Sequence, residues 1–245
     1  MRNLLAAAAC IAGLKALFCA ALASGTQPRI DLLPPVAGPV RLTGALAEVS
    51  GLAPASATSV YAHNDEQATI YEVDIRTGEV LGDQSAGRPP LPGDFEALVI
   101  AQPTKHKRRL RFRSLDVKLP GDCEIEGMAP ADREGSFFFA CKHAGRRLVI
   151  YRWSAVAGAA KAIDVKLDKA VPNPKAFRAT ELVRDPRSGT LLVLDSAAGA
   201  VLEISTEGDR IGYWRLGGDH PQAEGLALMP DGTMVVADEG RIGDG

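Results

Sequence analysis

The sequence predicts an all-β chain forming a single β-propeller of four-stranded blades, five by direct count and six as the alternative, with one blade shortened. Three observations carry this. A short phrase recurs five times: an acidic or small residue, then Gly or Ala, then an apolar residue. A second, strand-like phrase follows at a nearly fixed distance. A third phrase completes a meander, and most repeat intervals match the length of one blade. Composition agrees. The 245 residues are 46 % hydrophobic and 24 % charged, which supplies a sizeable core and excludes a disordered or collagen-like chain. A formal charge of -2 argues against general nucleic-acid binding, and no nucleic-acid partner is expected.

Residues 1–23 read as a signal peptide, leaving 24–245 as a propeller domain closed by its N-terminal segment. Arg2 gives a short positive start, Leu4 to Ala23 is apolar apart from Gly13 and Lys15, and Ala21-Leu22-Ala23 suits a signal peptidase. A central Lys costs roughly 2.5 to 3.5 kcal/mol on membrane insertion, which disfavours a retained span. Phe18 is too bulky to precede a lipidated Cys19. A periplasmic or secreted location follows; the alternative is an inner-membrane anchor formed by an uncleaved segment.

The repeated phrase is Glu48-Val49-Ser50-Gly51-Leu52, Asp94-Phe95-Glu96-Ala97-Leu98, Glu124-Ile125-Glu126-Gly127-Met128, the degenerate Ala179-Thr180-Glu181-Leu182, and Ala223-Glu224-Gly225-Leu226. Its last residues are spaced by 46, 30, 54 and 44. The second phrase places Asp65 13 residues after Leu52, Lys142 14 after Met128, Asp195 13 after Leu182 and Asp238 12 after Leu226. Third-phrase strands are expected over Ala68 to Asp74, Arg147 to Trp153 and Ala200 to Ser205. Turns such as Arg76-Thr77-Gly78-Glu79 and Thr206-Glu207-Gly208-Asp209 then lead into a fourth strand. The last copy offers two strands by Gly240, so Arg29 to Ala47 is expected to pack into the same blade and close the ring.

The short interval between Leu98 and Met128 leaves room for two or three strands. Six Lys or Arg in the nine residues from Lys105 to Arg113 suggest an anion or lipid-headgroup contact, or else a solvated outer strand. Cys10 and Cys19 leave with the signal. Cys123 and Cys141 then remain as a pair at adjoining ends of one hairpin, where an oxidising compartment would join them as a disulfide.

Taken together, Tyr61 to Glu66 followed by Ile70 to Asp74, Asp94 to Leu98, Cys123 to Met128 and Gln222 to Leu226 resemble the SdiA-regulated, phytase-like β-propellers, over about Glu48 to Gly240. That resemblance implies an exported propeller, binding of calcium or another divalent ion, and a phosphoesterase activity. The chain departs from the family pattern at the shortened second blade and after Arg241.

The residues themselves give a parallel reading. First strands line a propeller channel, so Glu96, Glu126, Glu181 and Glu224 would face a common axis, with Glu48 near one end. Carboxylates so gathered repel unless compensated, and hard oxygen donors favour Ca²⁺ or Mg²⁺ over zinc. Calcium is the expected cofactor. The alternative is that these side chains accept backbone amides of neighbouring blades and tie the ring. Candidates on the loop face are His63, Asp65, Glu66, Asp195, Asp238 and Glu239, with His63 either an acid–base group or a structural imidazole.

No GxSxG, HExxH, P-loop or dinucleotide motif appears, and the four His (63, 106, 143 and 220) give no metal cluster spacing. No catalytic residue is assigned. Three functions remain: a divalent-ion-organised binding or sensing propeller, a metal-dependent phosphoesterase, and an envelope interaction scaffold. The partners expected are a small anionic or phosphorylated ligand, or an envelope protein or lipid.

Overall fold

Four antiparallel sheets follow one another along the chain in a computed structural model that describes residues 38–240 except 43, 88, 94, 99–116, 122, 133–134, 143–146 and 219. The first is β1 (Val49–Pro54), β2 (Ser59–Asn64), β3 (Thr69–Asp74) and β4 (Val80–Ser85). The second is β5 (Ile125–Pro130), β6 (Ser136–Cys141), β7 (Arg147–Ser154) and β8 (Ala159–Lys166). A short helix α1 (Leu167–Ala170) leads to the third: β9 (Ala179–Arg184), β10 (Leu191–Asp195), β11 (Ala200–Ile204) and β12 (Arg210–Arg215). The fourth is the pair β13 (Ala223–Leu228) and β14 (Met234–Asp238).

Within each sheet the strands pair in chain order, the meander of a propeller blade. Tight turns permit this order, because antiparallel neighbours need only a few connecting residues. The recurrent apolar phrases become these strands because their side chains are buried on both faces. All five residues of β10 and of β11 are buried. β9 lies beside β5 and β13, and β13 lies beside β1, so the first strands of successive sheets stand side by side.

Two apolar clusters fill the spaces between blades. Phe138, Leu148 and Ile150 of the second sheet meet Leu182, Leu191 and Leu202 of the third, with Leu167 of α1 and Phe177 completing the layer. Val49, Leu52, Val60 and Val73 of the first sheet meet Ala227 and Met229 beside β13–β14. Leu46 belongs to this second cluster and Leu42 packs against it. Beyond β14, the Gly240 N–H donates to the Ala47 carbonyl at 2.7 Å. The described part of the N-terminal segment therefore fills the space between the first and last sheets, as a 3₁₀ turn (Gly44–Leu46) and not as a strand.

The copy at Asp94 to Leu98 forms no strand among the described residues. The remainder of that shortened blade, including the basic run Lys105 to Arg113, lies outside them, as do Asp94 and residues 1–23. Among the described residues no helix is long and apolar enough to cross a membrane.

Candidate functional site

One irregularity recurs in all four first strands. Pairing skips a residue between Val49 and Gly51, between Ile125 and Gly127, and between Ala223 and Gly225. In β9 it skips between Ala179 and Glu181. Ser50, Glu126, Thr180 and Glu224 are thus bulged residues in one register, and a bulge re-aims its side chain out of the ladder. The next register holds Gly51, Gly127, Gly225 and, in the third sheet, Glu181.

The expectation that Glu181 is equivalent to Glu126 and Glu224 is therefore corrected. Glu181 stands one residue further on, in the glycine column, and a single step reverses the side chain's direction. The glycines show what that column faces. A Cβ on Gly127 would run into the backbone of Leu182, and one on Gly225 would meet Leu52 Cγ at 2.8 Å.

Glu181 is 1 % exposed. Its Oε1 accepts the Leu182 N–H at 2.9 Å. The amides of Leu52 and Met128 also point at the carboxyl. Three equivalent amides, from β1, β5 and β9, thus converge on one side chain. Burial nevertheless pushes this carboxyl well above the usual carboxylate range, outweighing the amides. Oε2 has no partner in full hydrogen-bond geometry. Thr180, in the bulged register, donates its hydroxyl to the Ala223 carbonyl at 2.8 Å and fastens β9 to β13.

Glu126 and Glu224 belong to a different environment. Glu224 is half-buried, and its carboxyl is pushed up to about 7 by burial first, then by Glu239, Glu126 and Glu96, against the pull of Arg178. Glu239 is raised by burial and by Asp65 and Glu48. These six carboxylates, from every sheet except the third, share one electrostatic neighbourhood at the start of the first strands. Lys142 partly offsets them, contacting Glu124 at 2.7 Å and Glu126 at 2.9 Å, and these bonds raise its own pKa. Asp65 Oδ1 is buried without a hydrogen-bond partner. The result is an acidic mouth over the inner strands.

The loop-face candidates separate by register. Asn64, Cys141, Asp195 and Asp238 pair with the first residue of the adjoining first strand. Asp65, Lys142 and Glu239 follow one residue later, so Asp65 is not the counterpart of Asp195 and Asp238. The spacing from the marker residue missed this because the turns of the β1–β2 and β13–β14 hairpins are one residue shorter than those of β5–β6 and β9–β10. Asp195, 2 % exposed, accepts the Arg178 N–H at 3.0 Å and the Tyr213 hydroxyl at 2.8 Å. Asp238 binds His220 Nδ1 at 2.8 Å. Both aspartates tie loops together, whereas Glu66 is exposed.

His63 is 4 % exposed, with Nδ1 at 2.8 Å from the Asn64 carbonyl. Burial lowers its pKa, outweighing that bond and Asp65. Its Nε2 has no hydrogen-bond partner and faces Gly51, inside the molecule. Cys123 and Cys141 form a disulfide with a Cα separation of 5.2 Å, beside Lys142 at the rim.

Among the described residues, no three His, Cys, Asp or Glu side chains stand close enough together to hold a metal ion. The carboxylates of the mouth attract positive charge without forming a ready-made cage. Arg178, which no motif flagged, stands at the edge of the mouth, and only its place before Ala179 in the repeat could have drawn notice.

The model of the SdiA-regulated family matches residues 95–241. No curated protein sequence matches the chain. Among solved structures, a protein of unknown function from Bacteroides caccae is 15 % identical with a TM-score of 0.38, covering 78 % of this chain and 53 % of its own. Glutaminyl cyclase from Myxococcus xanthus is 14 % identical with a TM-score of 0.43, covering 80 % and 88 %. The beta-propeller domain of Cps50 (Swd1) from Myceliophteria thermophila is 12 % identical with a TM-score of 0.36, covering 78 % and 48 %. The chain spans about half the length of the first and third of these.

Proposed function

The chain belongs to the SdiA-regulated family, and from that premise we propose that it is an exported binding or sensing propeller that takes a divalent cation, Ca²⁺, at its acidic mouth. The observation behind this reading is the convergence of Glu48, Asp65, Glu96, Glu126, Glu224 and Glu239, which leaves Glu224 with a carboxyl near 7. Like charge that Lys142 and Arg178 offset only in part stores repulsion, and a cation relieves it. Because the carboxylates are spread, the ion keeps part of its water shell. The Cys123–Cys141 disulfide supports an oxidising, extracytoplasmic setting.

Binding Ca²⁺ displaces the proton on Glu224, so affinity rises with pH between about 6 and 8. The test is melting of EDTA-treated protein with and without millimolar Ca²⁺, in wild type and Glu224→Gln. A hundredfold excess over the dissociation constant should add about 2.7 kcal/mol of stability. The variant should respond less. No shift in the wild type sinks the reading.

A further inference from the structure

Beside the acidic mouth lies a cleft of opposite character. Its volume is about 390 Å³, and it is lined by Arg178, Ser196, Arg215, His220, Gln222 and the glycine-containing turns between them. Among the described residues, no Asp or Glu lines it.

The walls are fixed from behind. Asp195 holds the Arg178 amide, and the Ser196 N–H donates to the Arg178 carbonyl at 3.0 Å. The Leu216 N–H donates to Gly199 at 2.8 Å, where a φ of 53° suits glycine and closes the turn. His220 is oriented by Asp238 and by the Gly217 carbonyl at 3.2 Å. Phe177, fully buried, anchors the segment that carries Arg178. Beneath the turn, Asp195 accepts the Arg178 amide and the Tyr213 hydroxyl.

By contrast, the heads of Arg178 and Arg215 are exposed and make no ion pair with any described residue. A guanidinium presents a planar fork of N–H donors that matches a carboxylate or a phosphate. The volume falls at the lower end of the range for small-molecule sites. Gln222 lines the cleft two residues before Glu224 at the start of β13, and Arg178 acts electrostatically on that carboxyl, so cleft and mouth adjoin there.

We propose that the cleft is the anion seat of a small zwitterionic ligand, with Arg178 and Arg215 holding its carboxylate or phosphate while its cationic group reaches Glu224. Only the cationic half rests on the mouth taking positive charge. The anionic half stands without any metal.

The test is calorimetric titration of the full chain, stripped of metal with EDTA and then dialysed free of it, with four probes: inorganic phosphate, acetate, phosphoethanolamine and glycine. Binding of a phosphate or a carboxylate probe identifies the anion. Its amino-bearing counterpart should bind at least tenfold more tightly. Arg215→Gln and Arg178→Gln should each weaken binding tenfold or more at an unchanged melting temperature, and Glu224→Gln should remove only the amino advantage. The proposal is overturned by no saturable binding, by binding undiminished in both arginine variants, or by binding that appears only when Ca²⁺ is added. Equal affinity for probes with and without the amino group overturns the zwitterionic half. Absence of a calcium shift alongside phosphate or glycine binding to the metal-free protein would remove the metal reading and leave this one standing.

Discussion

The seam around Glu181 and the mouth around Glu224 come from the same strand phrase in consecutive repeats, yet they present a carboxyl in opposite ways. At the seam the acid fills the column that neighbouring strands leave to glycine, and it accepts amides from three first strands. At the mouth the acid sits on the bulge, half-buried among other acids. A step of one residue thus separates a side chain that ties blades together from one whose charge remains to be met from outside. If the mouth binds as proposed, stability rests on one region and binding on the other, and substitutions in each should move different observables.

The largest effect is expected at the seam. Glu181→Ala leaves the Leu182, Leu52 and Met128 amides without their acceptor and opens a cavity, costing about 3 kcal/mol or more. Glu181→Gln retains an acceptor oxygen and should stay within about 1 kcal/mol of wild type. Urea unfolding compares them. If the alanine variant matches the glutamine variant, the seam is held by apolar contact alone and the contrast with the mouth collapses.

A smaller effect is expected from the glycines of that same column. Gly127→Ala drives a methyl into the backbone of Leu182, which cannot move without shifting β9, and should cost about 1 to 3 kcal/mol. Gly225→Ala meets the Leu52 side chain, which can rotate, so its cost should be the lesser of the two. Thermal melting ranks them. The reverse order would show that the close approach of β5 and β9 is not what the column protects.

Much of this architecture was legible. The apolar phrases became strands within a residue or two, as with Leu191–Asp195 and with Phe137 to Lys142, observed as Ser136–Cys141. The hairpin logic also found the Cys123–Cys141 disulfide. Register was harder to read, because hairpin turns differ by one residue between blades and because an acid one position from another reads as its equivalent. Aligning Ala179-Thr180-Glu181-Leu182 on Ala223-Glu224-Gly225-Leu226 residue by residue puts Glu181 under Gly225, so the clue was present in the letters. The arginine cleft had no such clue. Arg178 precedes β9 and Arg215 ends β12, 37 positions apart (215 minus 178), and the four-strand meander of the third sheet carries both to one edge.

The smallest effect is at the mouth, and its sign is opposite to that of the seam. An ordinary glutamate in the unfolded chain ionises near 4.5, whereas the folded Glu224 carboxyl ionises near 7. Between those values the folded chain holds a proton that the unfolded chain has released. This contribution to stability is therefore full below about 4.5, declines as pH rises toward 7, and is flat above it. Glu239 is raised by the same kind of neighbours and adds a parallel slope. Replacing Glu224 with glutamine removes its share without removing its bulk. The variant should melt about 2 °C above wild type at pH 7.5, a modest gain because the group is half-exposed and screened. The gap should narrow as pH falls toward 5, where the folded Glu224 is protonated and most of its contribution is recovered. Melting temperatures of the pair across pH 5 to 8, in EDTA, measure this directly. A variant less stable than wild type at pH 7.5 would mean that Glu224, like Glu181, holds strands together, and the distinction between seam and mouth would fail.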